Sequence, residues 1–283
     1  MVSRLKIPLL LAPTLAVITL FFVGGLVLAL SQSLGYMPII GRYDLNLDAY
    51  RAVFGRVDFY RSLWLTLWIA GVSTAVATIL AILFALTLRR AFRGKAVTTF
   101  LFQLNLPIPH LVGAIAIFFL FAQSGFLSRI VYLFGFIRDP AQFPALVYDP
   151  YALGIILEYV WKTTFFIGII ILAILHGMDD AYEDVARNLG ANRWQRFRYV
   201  IFPFILPGVL SSSVLVFAFT FGAFEVPLLL GQRFPSALPV LAYRAYTDVD
   251  LNARPEAMAM SVIITIVSAA LIFVYMRLVK GSE

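Results

Sequence analysis

The sequence contains no cysteine and only two histidines, so disulfide bonds and thiolate metal sites are excluded. Charge is also scarce, because Asp, Glu, Lys and Arg make up 13% of the 283 residues. Hydrophobic residues make up 61%, and the mean hydropathy is +0.91. Such a composition leaves too little polar surface for a soluble domain of any size, and it is typical of a polytopic membrane protein.

The sequence also lacks the common catalytic signatures. It has no glycine-rich loop followed by Lys and Ser or Thr, no H-E-x-x-H and no G-x-S-x-G. A recognisable P-loop ATPase is therefore excluded. A membrane enzyme would need a polar catalytic cluster at one membrane interface, and the sequence shows none. We found no internal repeat and no linker, which favours one domain over residues 1–283.

Six apolar stretches are each long enough to cross about 30 Å of hydrocarbon as a helix. They do not alternate with the period of two that is typical of barrel strands. The sequence therefore predicts an all-α membrane protein whose six transmembrane helices lie at about residues 7–30, 62–88, 97–122, 151–175, 204–230 and 257–276.

The basic residues between these stretches predict the topology. If both termini are cytoplasmic, twelve Lys and Arg lie in short inner segments and nine lie in the three longer outer loops. The positive-inside rule favours this orientation, in the inner membrane of the cell. The net charge of +7 is explained by these membrane-edge cations, so no nucleic-acid partner is expected.

A polar segment between the fourth and fifth stretches has the pattern of a docking site. It reads AYEDVARNLGANRWQRFRYVIFPFILP from Ala181. Asp180 with Glu183, and Asn192 with Gln195, each have capping-box spacing, and a glycine separates the two pairs. The pattern predicts two short amphipathic helices joined at a glycine corner. On the predicted topology the segment is cytoplasmic, where a soluble partner can bind it.

Part of this segment resembles the EAA loop of permease subunits of binding-protein-dependent ABC importers, which reads Glu-Ala-Ala, three residues, Gly, nine residues, Ile-x-Leu-Pro. Asp184-Val185-Ala186 stands for Glu-Ala-Ala, followed at the family spacing by Gly190 and by Val-Ile-Phe-Pro from position 200. Four positions differ, and all four keep charge or apolar character. The segments LDAYRAVF and FEVPLLLG also resemble type I importer permeases, particularly those of polyamine, iron and thiamine systems.

This resemblance implies a membrane subunit that forms half of a translocation path and is not itself an enzyme. Two permease subunits, identical or different, would enclose the path within membrane lipid. A dimer of ATPase subunits would bind ATP and Mg, and an external binding protein would deliver the substrate. The resemblance places the ATPase-docking loop at residues 176–203, with contacts from Glu183, Asp184, Val185, Ala186, Leu189, Gly190 and Pro203. A secondary carrier driven by an ion gradient is the alternative, although it would not need the docking loop.

Charged residues inside the spans are the candidates for the substrate path, because each is costly unless it is paired or faces a wet cavity. Glu158 and Lys162 are four residues apart, which favours either an intrahelical ion pair or a substrate site. Glu225 lies beside Pro227 and has no local partner, so it either lines the path or pairs with another span or subunit. His110 has no His or Cys cluster around it, which favours a packed residue at a kink over a metal ligand.

The substrate itself remains open at this stage. Carboxylates in the spans favour a polyamine or another cation, whereas Arg and Tyr in the outer loops suit anions or sugars.

Overall fold

The computed structural model describes residues 2–89, 95–179 and 181–280. Those residues form helices and no strand, apart from one isolated bridge between Met37 and Arg42. The helices are α1 (Val2–Ser33), α2 (Asp48–Phe54), α3 (Val57–Arg89), α4 (Lys95–Leu104), α5 (His110–Phe121), α6 (Phe126–Leu133), α7 (Leu153–His176), α8 (Ala181–Asn188), α9 (Arg193–Arg196), α10 (Phe202–Gly222), α11 (Glu225–Leu230), α12 (Leu238–Tyr246) and α13 (Arg254–Lys280).

Six segments are long and apolar enough to cross a membrane, which confirms the all-α membrane fold. They are Leu10–Ser33, Val57–Arg89, His110–Leu133, Leu153–His176, Arg193–Gly222 and Leu251–Val274. The first segment leaves large apolar side chains such as Leu20, Phe21 and Phe22 exposed to 66–75%. Such a surface is stable in lipid or against a membrane partner, and not in water.

Two predicted spans are interrupted. In the third, predicted at 97–122, α4 ends at Leu104 and α5 begins at His110. Pro107 and Pro109 lie between them and supply no amide donor, which breaks the helical ladder. In the fifth, predicted at 204–230, α10 ends at Gly222, Ala223 is extended, and α11 begins at Glu225.

The chain divides into two compact units. The first comprises residues 1–60 and 238–266, and the second comprises 61–237 and 267–283. In the first unit, Arg56 Nη1 pairs with Glu256 Oε2 at 2.9 Å, and Arg42 Nη2 donates to Asn252 Oδ1 at 2.9 Å. These contacts join the segment around α2 to the residues at the start of α13.

In the second unit α7 is central and packs against α4, α5, α10 and α11. Its inner half lies in a core with a stripe of small residues on α3, namely Ala77, Ala81 and Ala85. All three are fully buried and lie at a spacing of four, so one face of α3 meets its neighbours at close range. This packing fixes α7, which bears the polar cluster described below.

Candidate docking loop and membrane-embedded polar cluster

The segment after α7 has the predicted helix, glycine corner and capped second helix. Gly190 ends α8 with a φ of +85°, in the left-handed region that favours glycine. Asn192 Oδ1 accepts from Gln195 N at 2.9 Å, and Gln195 Oε1 accepts from Asn192 N at 2.8 Å, so the second capping box is confirmed. The first box involves Asp180, which lies outside the described residues. At the start of α8, Asp179 Oδ1 accepts a hydrogen bond from Ala181 N at 2.9 Å.

The second helix is not a separate short helix as predicted. α9 continues through a five-residue π-helical segment, Phe197–Ile201, into α10. The prolines at 203 and 207 remove two amide donors early in α10, and such gaps in the hydrogen-bond ladder accompany local changes of helical register. The docking loop is therefore joined to the fifth span by unbroken helix.

One side of α8 carries exposed apolar residues. Val185 is 58% exposed and Leu189 is 83% exposed, and no residue of α8 is buried. Asp184 and Arg187 form a surface pair at 3.0 Å, with side chains 57% and 64% exposed. Ala186 is half-buried and Pro203 is exposed in the first turn of α10. An apolar face at a polar membrane edge is a surface that a partner can cover.

Glu183 lies differently from the other predicted docking residues. Its carboxylate binds the Arg89 guanidinium at the end of α3 and lies 3.9 Å from Arg196 Nη1. The three side chains are only 13–21% exposed. Glu183 therefore faces inward and ties α8 to α3 and α9. No local pattern predicts this contact, because Arg89 precedes Glu183 by 94 positions.

The polar residues of the membrane spans meet on α7. Glu158 is fully buried and accepts a hydrogen bond from His110 Nδ1, which lies 3.0 Å from Oε1 and 3.2 Å from Oε2. Gly113 makes this approach possible, since a Cβ there would lie 2.8 Å from Glu158 Oε1. One turn along α7, Lys162 Nζ donates to the carbonyls of Asn105 at 2.6 Å and Ile108 at 2.5 Å.

The predicted intrahelical ion pair between Glu158 and Lys162 is wrong, because each side chain has another partner. At the break between α4 and α5, Lys162 is the second donor to the Asn105 carbonyl, which also accepts from Ile108 N at 3.3 Å, and it donates to the Ile108 carbonyl as well. Glu158 holds the first residue of α5. The two side chains therefore clamp the broken third span to α7.

A cavity of about 390 Å³ adjoins this cluster. Apolar side chains of α7 and α10 form most of its wall, and its polar residues are His110, Lys162 and Thr163. Within the described part of the chain, no group of three His, Cys, Asp or Glu residues could hold a metal ion. His110 instead lies at the predicted break, with its ring centroid 5.1 Å from that of Phe219.

Glu225 is the first residue of α11 and is exposed, with no ion pair or hydrogen bond to any described residue. Pro227 follows in the first turn, where a missing amide donor is tolerated. The opening in the span therefore lies just before Glu225, at Ala223, and not at Pro227 as predicted. α11 packs against α5 and α7, the two helices that carry His110, Glu158 and Lys162.

Gly190→Val tests the role of the corner. An added Cβ would meet no atom within 4 Å, so the cost of the change comes from the backbone. A β-branched residue in the left-handed region costs about 1–3 kcal/mol. We expect substrate-stimulated ATP hydrolysis by the reconstituted complex to fall about tenfold or more, with normal membrane insertion.

Gly41→Val is the matched control, because Gly41 has a φ of +74° and equally open surroundings in the segment between α1 and α2. Equal loss in both variants, or full stimulation in Gly190→Val, would contradict the role of the corner.

The chain is similar to known membrane proteins. Residues 77–282 match the family model described as binding-protein-dependent transport system inner membrane component. The chain is 30% identical over 255 residues to the molybdenum transport system permease protein ModB of Mycobacterium tuberculosis, covering 84% of this chain and 90% of that protein. It is 25% identical over 238 residues to the spermidine/putrescine transport system permease protein PotB of Haemophilus influenzae, covering 83% and 80%.

Among solved structures, a bacterial ABC transporter involved in the import of the acidic polysaccharide alginate superposes with a TM-score of 0.81. The match covers 99% of this chain and 98% of that one at 20% identity, so it shows the shared fold alone.

Proposed function

Because the chain belongs to the binding-protein-dependent transport system inner membrane component family, we propose that it forms half of the path for a small solute and couples uptake to a separate ATPase. It is a permease subunit of a type I ABC importer, a non-enzymatic membrane subunit, and this sets aside the secondary carrier. The observation that carries the coupling proposal is the exposed apolar face of α8 beside the ordered corner at Gly190.

The proposed partners follow from the family. A second permease subunit, identical or different, completes the path, and an external binding protein delivers substrate. Two ATPase subunits bind ATP and Mg and dock on residues 176–203 of each permease. Both termini lie in the cytoplasm, on the evidence of the basic residues at the inner membrane edge.

Coupling is a shift between two states of the permease. The loop binds the open and closed ATPase dimers with different affinity, so closure around ATP favours one permease state. The contacts of Glu183 with Arg89 and Arg196 connect the docking helix to the second span. The continuous helix from α9 to α10 connects it to the fifth span.

A cationic substrate, such as a polyamine, is the finer part of the proposal. The Glu158 carboxylate is hydrogen-bonded to His110, so the argument for a cationic substrate depends on Glu225. Glu225 is exposed and is the first residue of α11, beside the opening in the fifth span. The relatives are named for molybdenum and for spermidine and putrescine, so family membership does not choose the substrate.

Glu225→Gln tests this part. The change keeps shape and hydrogen bonding and removes the charge, so uptake of a cationic substrate should fall about tenfold or more while assembly and basal ATP hydrolysis persist. Asp58→Asn is the control, because Asp58 is a part-exposed carboxylate in the first turn of α3. If Glu225 instead pairs with another subunit, the variant should lose complex stability. Normal uptake with normal stability would rule out both roles.

The proposed function as a whole is tested by uptake into proteoliposomes that contain both permease subunits and the ATPase. Uptake should require ATP and the binding protein and should survive a protonophore. Uptake that stops with the protonophore while ATP persists would contradict the proposal.

A further inference from the structure

The outer segment after α5 combines a short helix with exposed apolar residues. The apolar segment His110–Leu133 is not one straight helix, because the chain turns at Ala122–Gly125 before α6 begins. The apolar and polar residues of α6 lie on different sides. Near the end of α6, Leu133, Phe134 and Phe136 are 75–81% exposed. Apolar side chains at this exposure beside a membrane span are typical of a helix that lies in the lipid interface.

A cavity of about 460 Å³ lies between α6 and the loop that follows it. Its wall is rich in hydrogen-bond donors and has no carboxylate. The lining residues are Ser124, Ser128, Arg129, Tyr132, Ile137, Arg138 and Pro140.

Most donors around this cavity make no hydrogen bond within the described part of the chain. Ser128 is only 3% exposed, and its hydroxyl, which is not fully buried, has no hydrogen bond to a described residue. The exposed Arg138 side chain has no ion pair or hydrogen bond there, and Arg129 uses only Nε, which donates to Ser124 O at 3.3 Å. The neighbouring carboxylate of Asp139 accepts from Ala141 N at 2.7 Å. Two exposed guanidinium groups beside a hydroxyl, with no carboxylate in the wall, favour an anionic group in the cavity.

We propose that this cavity binds the phosphate of an anionic phospholipid. Arg129 and Arg138 supply the positive charge, and the Ser128 and Tyr132 hydroxyls supply further donors. The apolar residues beside the cavity favour a lipid over free phosphate, because an acyl chain can lie along Phe134 and Phe136 while the headgroup occupies the donors. The bound lipid fixes the position of α6 at the membrane surface.

This site is independent of the importer function. The proposed topology decides only which leaflet supplies the lipid, and places it in the outer one. Lipid binding and ATP-driven uptake are therefore measured separately, and failure of one leaves the other standing.

The test is calorimetric titration of the purified permease complex in detergent with short-chain phosphatidylglycerol. Phosphatidylcholine of the same chain length and inorganic phosphate are titrated in parallel. Phosphatidylglycerol should bind the more tightly, and each of Arg129→Gln and Arg138→Gln should weaken it about fivefold. Ser128→Ala should weaken phosphatidylglycerol binding about tenfold. Because this change hardly alters the side-chain volume, it still tests the site if an arginine variant fails to fold.

Arg51→Gln is the matched control, because it removes one exposed outer arginine far from the cavity in sequence. Unchanged phosphatidylglycerol binding in the cavity variants, or equal weakening in Arg51→Gln, would overturn the proposal. Inorganic phosphate that binds as tightly as the lipid would overturn the lipid assignment. Loss of the external binding protein from the cavity variants, with unchanged lipid binding, would assign the surface to that protein instead.

Discussion

Leu189→Asp is expected to release the ATPase from the purified complex. Leu189 is 83% exposed on the apolar side of α8, next to the corner that fixes its direction. If this side enters a groove on the ATPase, a carboxylate there must lose its water without gaining a partner. That cost is several kcal/mol, so we expect affinity to fall at least about a hundredfold.

Co-purification and binding of the ATPase to the permease in nanodiscs measure this loss. Val249→Asp is the control, because Val249 is 98% exposed in the segment between α12 and α13, and the same charge is introduced there. An unchanged affinity in Leu189→Asp would place the docking face elsewhere on the chain.

Lys162→Met is expected to destabilise the permease by several kcal/mol. Nζ donates to the Asn105 and Ile108 carbonyls at the break between α4 and α5, and the Asn105 carbonyl also accepts from Ile108 N at 3.3 Å. Each hydrogen bond to a charged group contributes about 1.5–3 kcal/mol, and methionine nearly conserves the volume of the side chain. The third span should then detach from α7 at lower temperature.

Thermal unfolding of the reconstituted complex measures this effect, and cysteine cross-linking between α4 and α7 localises it. Thr163→Val is the control, because Thr163 is equally buried on α7 but bonds only to Tyr159 O of its own helix. Wild-type stability in Lys162→Met would show that the clamp does not hold the break.

The sequence predicted the features that depend on neighbouring residues. The apolar stretches, the capping box at Asn192 and the left-handed Gly190 all follow from local pattern. The break before Glu225 could also have been predicted from the sequence, because Pro227 favours the first turn of a new helix over the interior of a longer one.

The contacts that define the polar cluster could not be predicted in this way. Glu158 meets His110 across 48 positions, and Lys162 meets Asn105 across 57. The rule for residues four apart predicted a pair between Glu158 and Lys162, but carbonyls freed by a distant break competed for the ammonium. Tertiary partners override local pairs where buried polar groups need them.

The uninterrupted helix from Arg193 to Gly222 acts as a lever arm between the two candidate sites. Its 30 residues span about 45 Å, so a tilt of about 5° at the docking loop displaces the far end by about 4 Å. That end lies three residues before Glu225. If the ATPase docks on this loop as proposed, a small rotation imposed there becomes a larger displacement just before Glu225, in proportion to the length of the helix.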